Sequence, residues 1–274
     1  VIIFYVMNAL RRHLQDQGWF AQAAIAAPNM AQYLDLVALG TVADLVPLQR
    51  NNRILVAQGL ARIRQGLARP GILALVQQAN RQVDKLQATD MGFVLAPRLN
   101  AAGRLDDMSV GIECLITQDV SRAEQLAQQL DQLNQERRSI EGEMQAQAAA
   151  VVHELLGADD SELPACVCLY QSDWHEGVVG IVASRIKERW HRPALIFAQA
   201  DGGMLKGSAR SVPGFHIRDA LAAVDAQYPG LIDRFGGHAM AAGLSLPESR
   251  FEQFKQALNA YAQQHLDATL LERV

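Results

Sequence analysis

Residues 121–157 constrain the fold more than any other stretch. Leu126, Leu130, Leu133, Arg137, Ile140, Met144, Ala148, Val151 and Leu155 follow one another in steps of four and three, the spacing of a heptad seam. Ser121-Arg122-Ala123-Glu124 opens the run as a capping box, in which Ser and Glu each satisfy an orphan amide of the first turn. A helix of about 35 residues is ~50 Å long at 1.5 Å per residue. That exceeds one small domain and predicts a connector between two bodies. Gly157 is its expected stop, and 158–164 reads as a short polar linker. The 274 residues suffice for two domains at about 150 residues each.

The two flanks differ in pattern. Before the long helix, 2–13 and 52–67 have helical spacing, with Ile3, Val6, Met7 and Leu10 on the expected apolar face of the first. Residues 33–39 form an apolar run, and 100–104 reads as a small-residue loop. After it, 165–170 is a continuous apolar run, as in a strand buried on both faces. Helix 176–190, strands 194–197 and 204–211, helix 216–224, strand 240–246 and a last helix from about 248 follow, an α/β order. The chain opens at Val1 without a cap, which reads as a segment of a longer protein.

Composition narrows the function. Twenty-nine acidic and 25 basic residues leave a net charge of -4, so an anionic partner must be held by a local patch. Cys114, Cys166 and Cys168 make neither a disulfide framework nor a zinc site and fit a reducing cytosol. No apolar run reaches the ~18 residues of a membrane span. The absence of GxxxxGK[ST], of GxGxxG after a strand and of GxSxG weighs against an NTPase, a dinucleotide enzyme and a serine hydrolase.

Five stretches carry residues suited to chemistry, each with a plainer reading beside it. Asp44 is a carboxylate in the apolar stretch 39–48, where desolvation is costly without a partner. It reads as a ligand for a hard divalent metal or, more commonly, as a helix N-cap. Arg98 and Arg104 flank Leu99-Asn100-Ala101-Ala102-Gly103. Such arginines offer a planar fork to phosphate beside an approachable backbone, or simply edge a tight turn. Gly236, Gly237 and His238 offer backbone amides and an imidazole to an anion, or make a structural turn. Lys206, Ser208 and Arg210 share one strand face by period two, next to Ser211. They suit a phosphate or protect an edge strand. Trp174 and His175 stand at a strand-to-helix turn. Trp174 there can stack a base, worth roughly 1–3 kcal/mol, or fill the core.

Taken in order, LVALGTVADLVPL (36–48), PRLNAAGRL (97–105), SDWHEGVVGIVASR (172–185), GSARS (207–211) and FGGHAMAAGL (235–244) resemble the RecJ single-strand-specific exonucleases of the DHH phosphoesterase superfamily. The resemblance spans nearly the whole chain. GGHAMAAG is shared with the wider superfamily, including the DHHA1 domains of alanyl-tRNA synthetases, whereas PRLNAAGR and GTVADLVPL are more specific. The resemblance implies two α/β domains joined by the connector. Residues 1–118 would be the C-terminal part of a DHH catalytic domain, 119–157 the connector, 158–266 a DHHA1 nucleic-acid-binding domain and 267–274 the start of an OB-fold domain. It makes Asp44 the last metal-ligating aspartate, the other ligands, Asp-His-His among them, lying upstream of Val1.

The implied chemistry is hydrolysis of single-stranded DNA from its 5′ end by two Mg2+ or Mn2+ ions, in the cytoplasm and in DNA recombination and repair. His238, with the Gly236 and Gly237 amides, would hold a phosphate near the cleavage point. Arg98 or Arg104, with Asn100, Gly103, Ser208, Arg210 and Ser211, would hold others. Trp174 and His175 would line the channel, and Arg137 and Arg138 would touch the backbone from the connector. A groove between two domains would admit one strand and exclude a duplex. A helicase and a single-strand-binding protein are the implied protein partners, and a membrane is not. With Asp44 as its one ligand, the chain alone is expected to be inactive. Two other readings keep part of the pattern: a smaller DHH phosphodiesterase for oligonucleotides or cyclic dinucleotides, and a nucleic-acid-binding module without catalysis, such as a tRNA-binding DHHA1 segment.

Overall fold

The computed structural model describes residues 1–156 and 164–266. Chain contacts divide them into two units, with the boundary between Glu136 and Arg137. The chain as a whole is mixed α/β, as its resemblance implies. Among the described residues, however, every strand lies in the second unit.

The first unit is helical: α1 Ile2–Asp16, α2 Trp19–Gln22, α3 Leu34–Ala43, α4 Arg50–Arg64, α5 Pro70–Gln78, α6 Ala88–Asp90, a π turn Met91–Leu95, α7 Ala96–Leu105, α8 Ser109–Ile116 and the first half of α9 Val120–Leu156. Ile63, Ile72, Leu75, Leu95, Leu126 and Leu130 fill its core. Close helix packing explains two glycines. A Cβ on Gly59 would come within 2.1 Å of the Leu34 carbonyl, and one on Gly71 within 1.7 Å of the Cys114 carbonyl.

Four local expectations are corrected here. Residues 100–104 are not a loop but the second half of α7. Leu99, Ala101 and Ala102 are buried against the core, and Pro97 sits in the first turn, where a missing N–H costs nothing. The small residues therefore serve helix packing. Asp44 is no N-cap: it follows the last turn of α3 and is exposed. The long helix starts at Val120, and the Asp119 carboxylate accepts the Arg122 N–H at 3.1 Å. Asp119 therefore caps it in place of Ser121, and Glu124 is not part of a box. On α1, Ile3, Val6 and Leu10 are exposed while Phe4 packs on Met30 and Val37.

The second unit is a five-stranded sheet of β1 Val167–Tyr170, β2 Ala194–Ala200, β3 Met204–Arg210, β4 Arg234–Gly237 and β5 Ala241–Pro247, in the order β1-β2-β3-β5-β4. β1 and β2 are parallel; the other pairs are antiparallel. Helix α10 Val179–Trp190 covers one face, with Met144, Ala148 and Val152 of α9. Helices α11 Ile217–Gln227 and α12 Phe251–His265 cover the other through Leu221, Phe254 and Leu258. Strand β4 was not anticipated. Gly-Gly has poor strand propensity, and its pairing with β5 supplies what the local sequence lacks. The two halves of α9 thus belong to different cores, Ala123–Leu130 to the first and Met144–Val152 to the second. The expected stop at Gly157, the linker up to 163 and the segment 267–274 lie outside the described residues.

All three thiols are buried and unpaired. Burial pushes the Cys114 thiol up to about 11. It raises the Cys166 thiol well above its ordinary value, and a hydrogen bond with Cys168 adds to the effect. Since the thiolate is the reactive form, a disulfide dye at pH 8 is expected to label none of the three in the native protein and all three in urea. Rapid labelling of the native protein would contradict the packing of α5 on α8 and of β1 in the sheet.

Candidate nucleic-acid interface

The period-two row on β3 is where the sequence placed it. Lys206, Ser208 and Arg210 alternate with Leu205 and Ala209, which enter the core under α11 and α12. The row therefore faces the α10 side. The heads of Ser208 and Arg210 meet the first turn of α10. A Cβ on Gly180 would stand 3.1 Å from Arg210 Nη2 and 3.3 Å from Ser208 Oγ. Glycine at 180 is what lets the guanidinium and hydroxyl lie there. Arg210 also donates from Nη1 to the Ala209 carbonyl at 2.9 Å.

Register builds the rest. Ser208 pairs with Gly243, which pairs with Gly236. Lys206 pairs with Ser245, which pairs with Arg234. Two glycines thus extend Ser208's row across β5 and β4, forming a floor without side chains. A cleft of about 460 Å³ opens over it, lined by Glu176, Lys206, Ser208, Arg234, Gly236 and Gly243 among others. At the end of the floor, β4 turns into β5 through 238–240. The exposed His238 donates its backbone N–H to the Ala241 carbonyl at 2.8 Å. Gly237 has φ +148°, and a Cβ there would lie 2.4 Å from the Ala241 carbonyl oxygen. Gly236 is different: it is exposed, with nothing within 4 Å of its Cβ position.

Several expected contacts are instead structural. Trp174 is buried and donates its indole N–H to Gln147 on α9 at 2.6 Å, so its face is closed to a base. His175 is half-buried, and its Nδ1 accepts the Gly177 N–H at 3.0 Å, a turn-capping role. Ser211 is buried, and its hydroxyl donates to the Phe215 carbonyl at 2.6 Å. Arg98 donates from Nε to Asp131 on α9 and from Nη1 to the Val94 carbonyl, each at 2.8 Å, and so ties α7 to α9. Arg137 is buried and paired with Glu141, whereas Arg138 is exposed. Asn100, Gly103 and Arg104 are exposed in α7; their spacing of three and four places them on one face, turned from Arg98. Sequence reasoning missed Arg234 at the cleft, because its place there depends on pairing across strands. Glu176, which accepts from Lys206 at 2.8 Å, was missed because the turn before α10 carries it to β3.

A metal pair is a different matter. Asp44 is one exposed carboxylate, and among the described residues no three His, Cys, Asp or Glu side chains gather as a metal site. These residues do not by themselves fit two divalent ions. Among them, too, no helix is long and apolar enough to cross a membrane.

Residues 163–264 match the model of the DHHA1 domain. Over 273 residues, all of this chain, the sequence is 56% identical to the single-stranded-DNA-specific exonuclease RecJ of Dickeya dadantii. This chain belongs to the RecJ family. It spans 47% of the length of that RecJ, about half. Solved RecJ structures agree in fold. RecJ of Thermus thermophilus in complex with Mg2+ superposes with a TM-score of 0.72 at 34% identity, over 89% of this chain and 36% of the other. An exonuclease RecJ bound to manganese gives 0.73 at 34% identity, over 93% and 60%.

Proposed function

We propose that this chain is part of a divalent-metal-dependent exonuclease that removes nucleotides from the 5′ end of single-stranded DNA, and that its second unit grips the DNA backbone. The observation that carries the proposal is the cleft on the α10 side of the sheet. Its glycine floor lets a backbone approach closely. Ser208 lines it, Arg210 stands beside Ser208 at the first turn of α10, and the Gly236–His238 hairpin ends the floor. The curated relatives are named for single-stranded DNA, and a floor edged by a hydroxyl and a guanidinium suits a phosphodiester.

In this reading the Ser208 hydroxyl and the Arg210 guanidinium donate to the 5′-terminal phosphate. His238 donates to a phosphate at the hairpin end. Asn100 and Arg104, on the exposed face of α7, offer further donors. Asp44 is the candidate metal ligand of this chain, for Mg2+ or Mn2+, and no catalytic step is assigned to it alone. The chain by itself is accordingly proposed to bind single strands without cutting them. The cellular setting is DNA recombination and repair in the cytoplasm, where three unpaired thiols persist, alongside a helicase and a single-strand-binding protein.

Arg210→Ala is expected to weaken binding of a 5′-phosphorylated single-stranded oligonucleotide about tenfold, the loss of one charge-assisted contact. Fluorescence anisotropy at fixed salt measures it. Equal affinity of Arg210→Ala and the parent would overturn the assignment. Digestion of the oligonucleotide by the 274-residue chain in Mg2+ or Mn2+ would overturn the expected inactivity.

A further inference from the structure

Beyond Ser208 the cleft has a cationic end, which the motifs do not mark. Lys206 lies two residues along β3 from Ser208, on the same face. Across Ser245 from it stands Arg234 on β4. Adjacent strands lie about 4.8 Å apart, so the two cationic residues flank a gap of roughly 10 Å between their backbones. Both side chains are long and exposed, and they can close on one anion over Ser245. Lys206, Arg234 and Ser245 line the main cleft and also a second hollow of about 200 Å³ that continues it. The Ser245 hydroxyl donates to the Asp233 carboxylate at 3.0 Å, and with Asp201 the lining turns acidic. The cationic tract therefore ends at this row.

We infer that Lys206 and Arg234 form a second phosphate subsite, one nucleotide along from the phosphate held by Ser208 and Arg210. The inference rests on the reading of the cleft given above. Two residues along a strand span about 7 Å, which is of the order of the step between successive phosphates in an extended single strand. Glu176 tunes the subsite. Its carboxylate accepts from Lys206 at 2.8 Å, with both side chains half exposed. An ion pair so exposed is weak, and a phosphate arriving between Lys206 and Arg234 displaces it. Arg234 makes no ion pair among the described residues. The subsite thus holds an anion only in competition with Glu176, favouring a strand already anchored by its first phosphate over a free mononucleotide.

The test compares thymidine 5′-monophosphate with 5′-phosphorylated thymidine di- and trinucleotides, each competing with a labelled 5′-phosphorylated oligothymidylate for the 274-residue chain. The parent is expected to bind the dinucleotide about tenfold more tightly than the mononucleotide, the gain of one charge-assisted phosphate contact. Lys206→Ala/Arg234→Ala should erase that gain and leave the mononucleotide unaffected. It should also lower the slope of log affinity against log salt by about 0.7, one phosphate's share for a single strand. Glu176→Gln should act in the opposite sense, tightening the dinucleotide several-fold. A misfolded variant cannot produce that gain. A double variant that keeps the parent's length dependence and salt slope overturns the subsite while leaving the role of Arg210 intact. Mononucleotide binding that is indifferent to Arg210→Ala overturns the anchoring reading instead. Failure of the parent to bind any of the oligonucleotides overturns both.

Discussion

Asp35→Ala is expected to destabilise the first unit by about 3 kcal/mol, the lower end of what removing one partner from a buried ion pair costs. Asp35 is completely buried in the first turn of α3. Its Oδ2 accepts the Arg69 backbone N–H at 2.9 Å, and Oδ1 lies 3.9 Å from Arg69 Nε. The Arg69 guanidinium packs over the Tyr33 ring, 5.0 Å from its centroid. Alanine would leave a buried amide without an acceptor and a largely dehydrated cation without its counter-charge. In a unit of this size that corresponds to a fall in melting temperature of about 10 °C, read by circular dichroism. Asp35→Asn keeps an acceptor for the Arg69 amide and should fall between the two. A melting temperature unchanged in Asp35→Ala would show that the α3–α5 junction does not depend on this carboxylate. The consequence reaches Asp44, because α3 has ten residues and ends at it. A helix loose at its first turn holds that carboxylate less firmly.

Asp35 also shows where sequence reading stops. Asp35 and Asp44 both lie in apolar surroundings in the sequence, in LDLVALG and TVADLVP. The buried one is Asp35; Asp44 is exposed. What separates them is Arg69, 34 residues further on, a partner that no local pattern reveals. The same limit governs the site. The row Lys206, Ser208, Arg210 was legible because strand periodicity is local. The long helix was legible for the same reason, its steps of four and three realised as Val120–Leu156. Trp174 was open to two readings because Gln147, which satisfies its indole N–H, lies on another element. Arg98 and Arg104 look alike in PRLNAAGR, yet one helical face turns Arg98 to Asp131 and the other turns Arg104 to solvent. A segment of Ala, Gly and Asn reads as a loop by composition until Leu99, Ala101 and Ala102 are seen to form a buried stripe. Arg234 and Glu176 reach the cleft only through strand register and a turn, neither of which is encoded within a window of a few residues.

The neighbouring glycines of the cleft should respond to the same methyl group in opposite ways. Gly237→Ala is expected to cost about 3 kcal/mol or more, since it combines a backbone conformation closed to L side chains with overlap against fixed main chain. The observed φ is +148°, and the new Cβ would lie 2.4 Å from the Ala241 carbonyl oxygen and 2.5 Å from the Ala242 Cα. Neither atom is the end of a flexible side chain, so β4 must part from β5. Strand β4 has four residues and lies at the sheet edge, so the damage should concentrate there. Amide exchange should quicken at His238, whose N–H is bonded to Ala241, while Leu205 and Ala209 on β3 keep their protection. Affinity for a 5′-phosphorylated single strand should fall at least tenfold, because the floor of the cleft is lost. Gly236→Ala should leave the stability within about 0.5 kcal/mol of the parent, as for an ordinary surface change, since its Cβ meets nothing within 4 Å. Its methyl group would nevertheless stand on the floor where a DNA backbone is proposed to lie, and binding should weaken several-fold. A Gly236→Ala variant that is both stable and fully competent to bind would show that the backbone does not approach β4. Paired glycines in such a hairpin thus do two separate jobs, one giving the chain room to turn and the other giving the ligand room to approach.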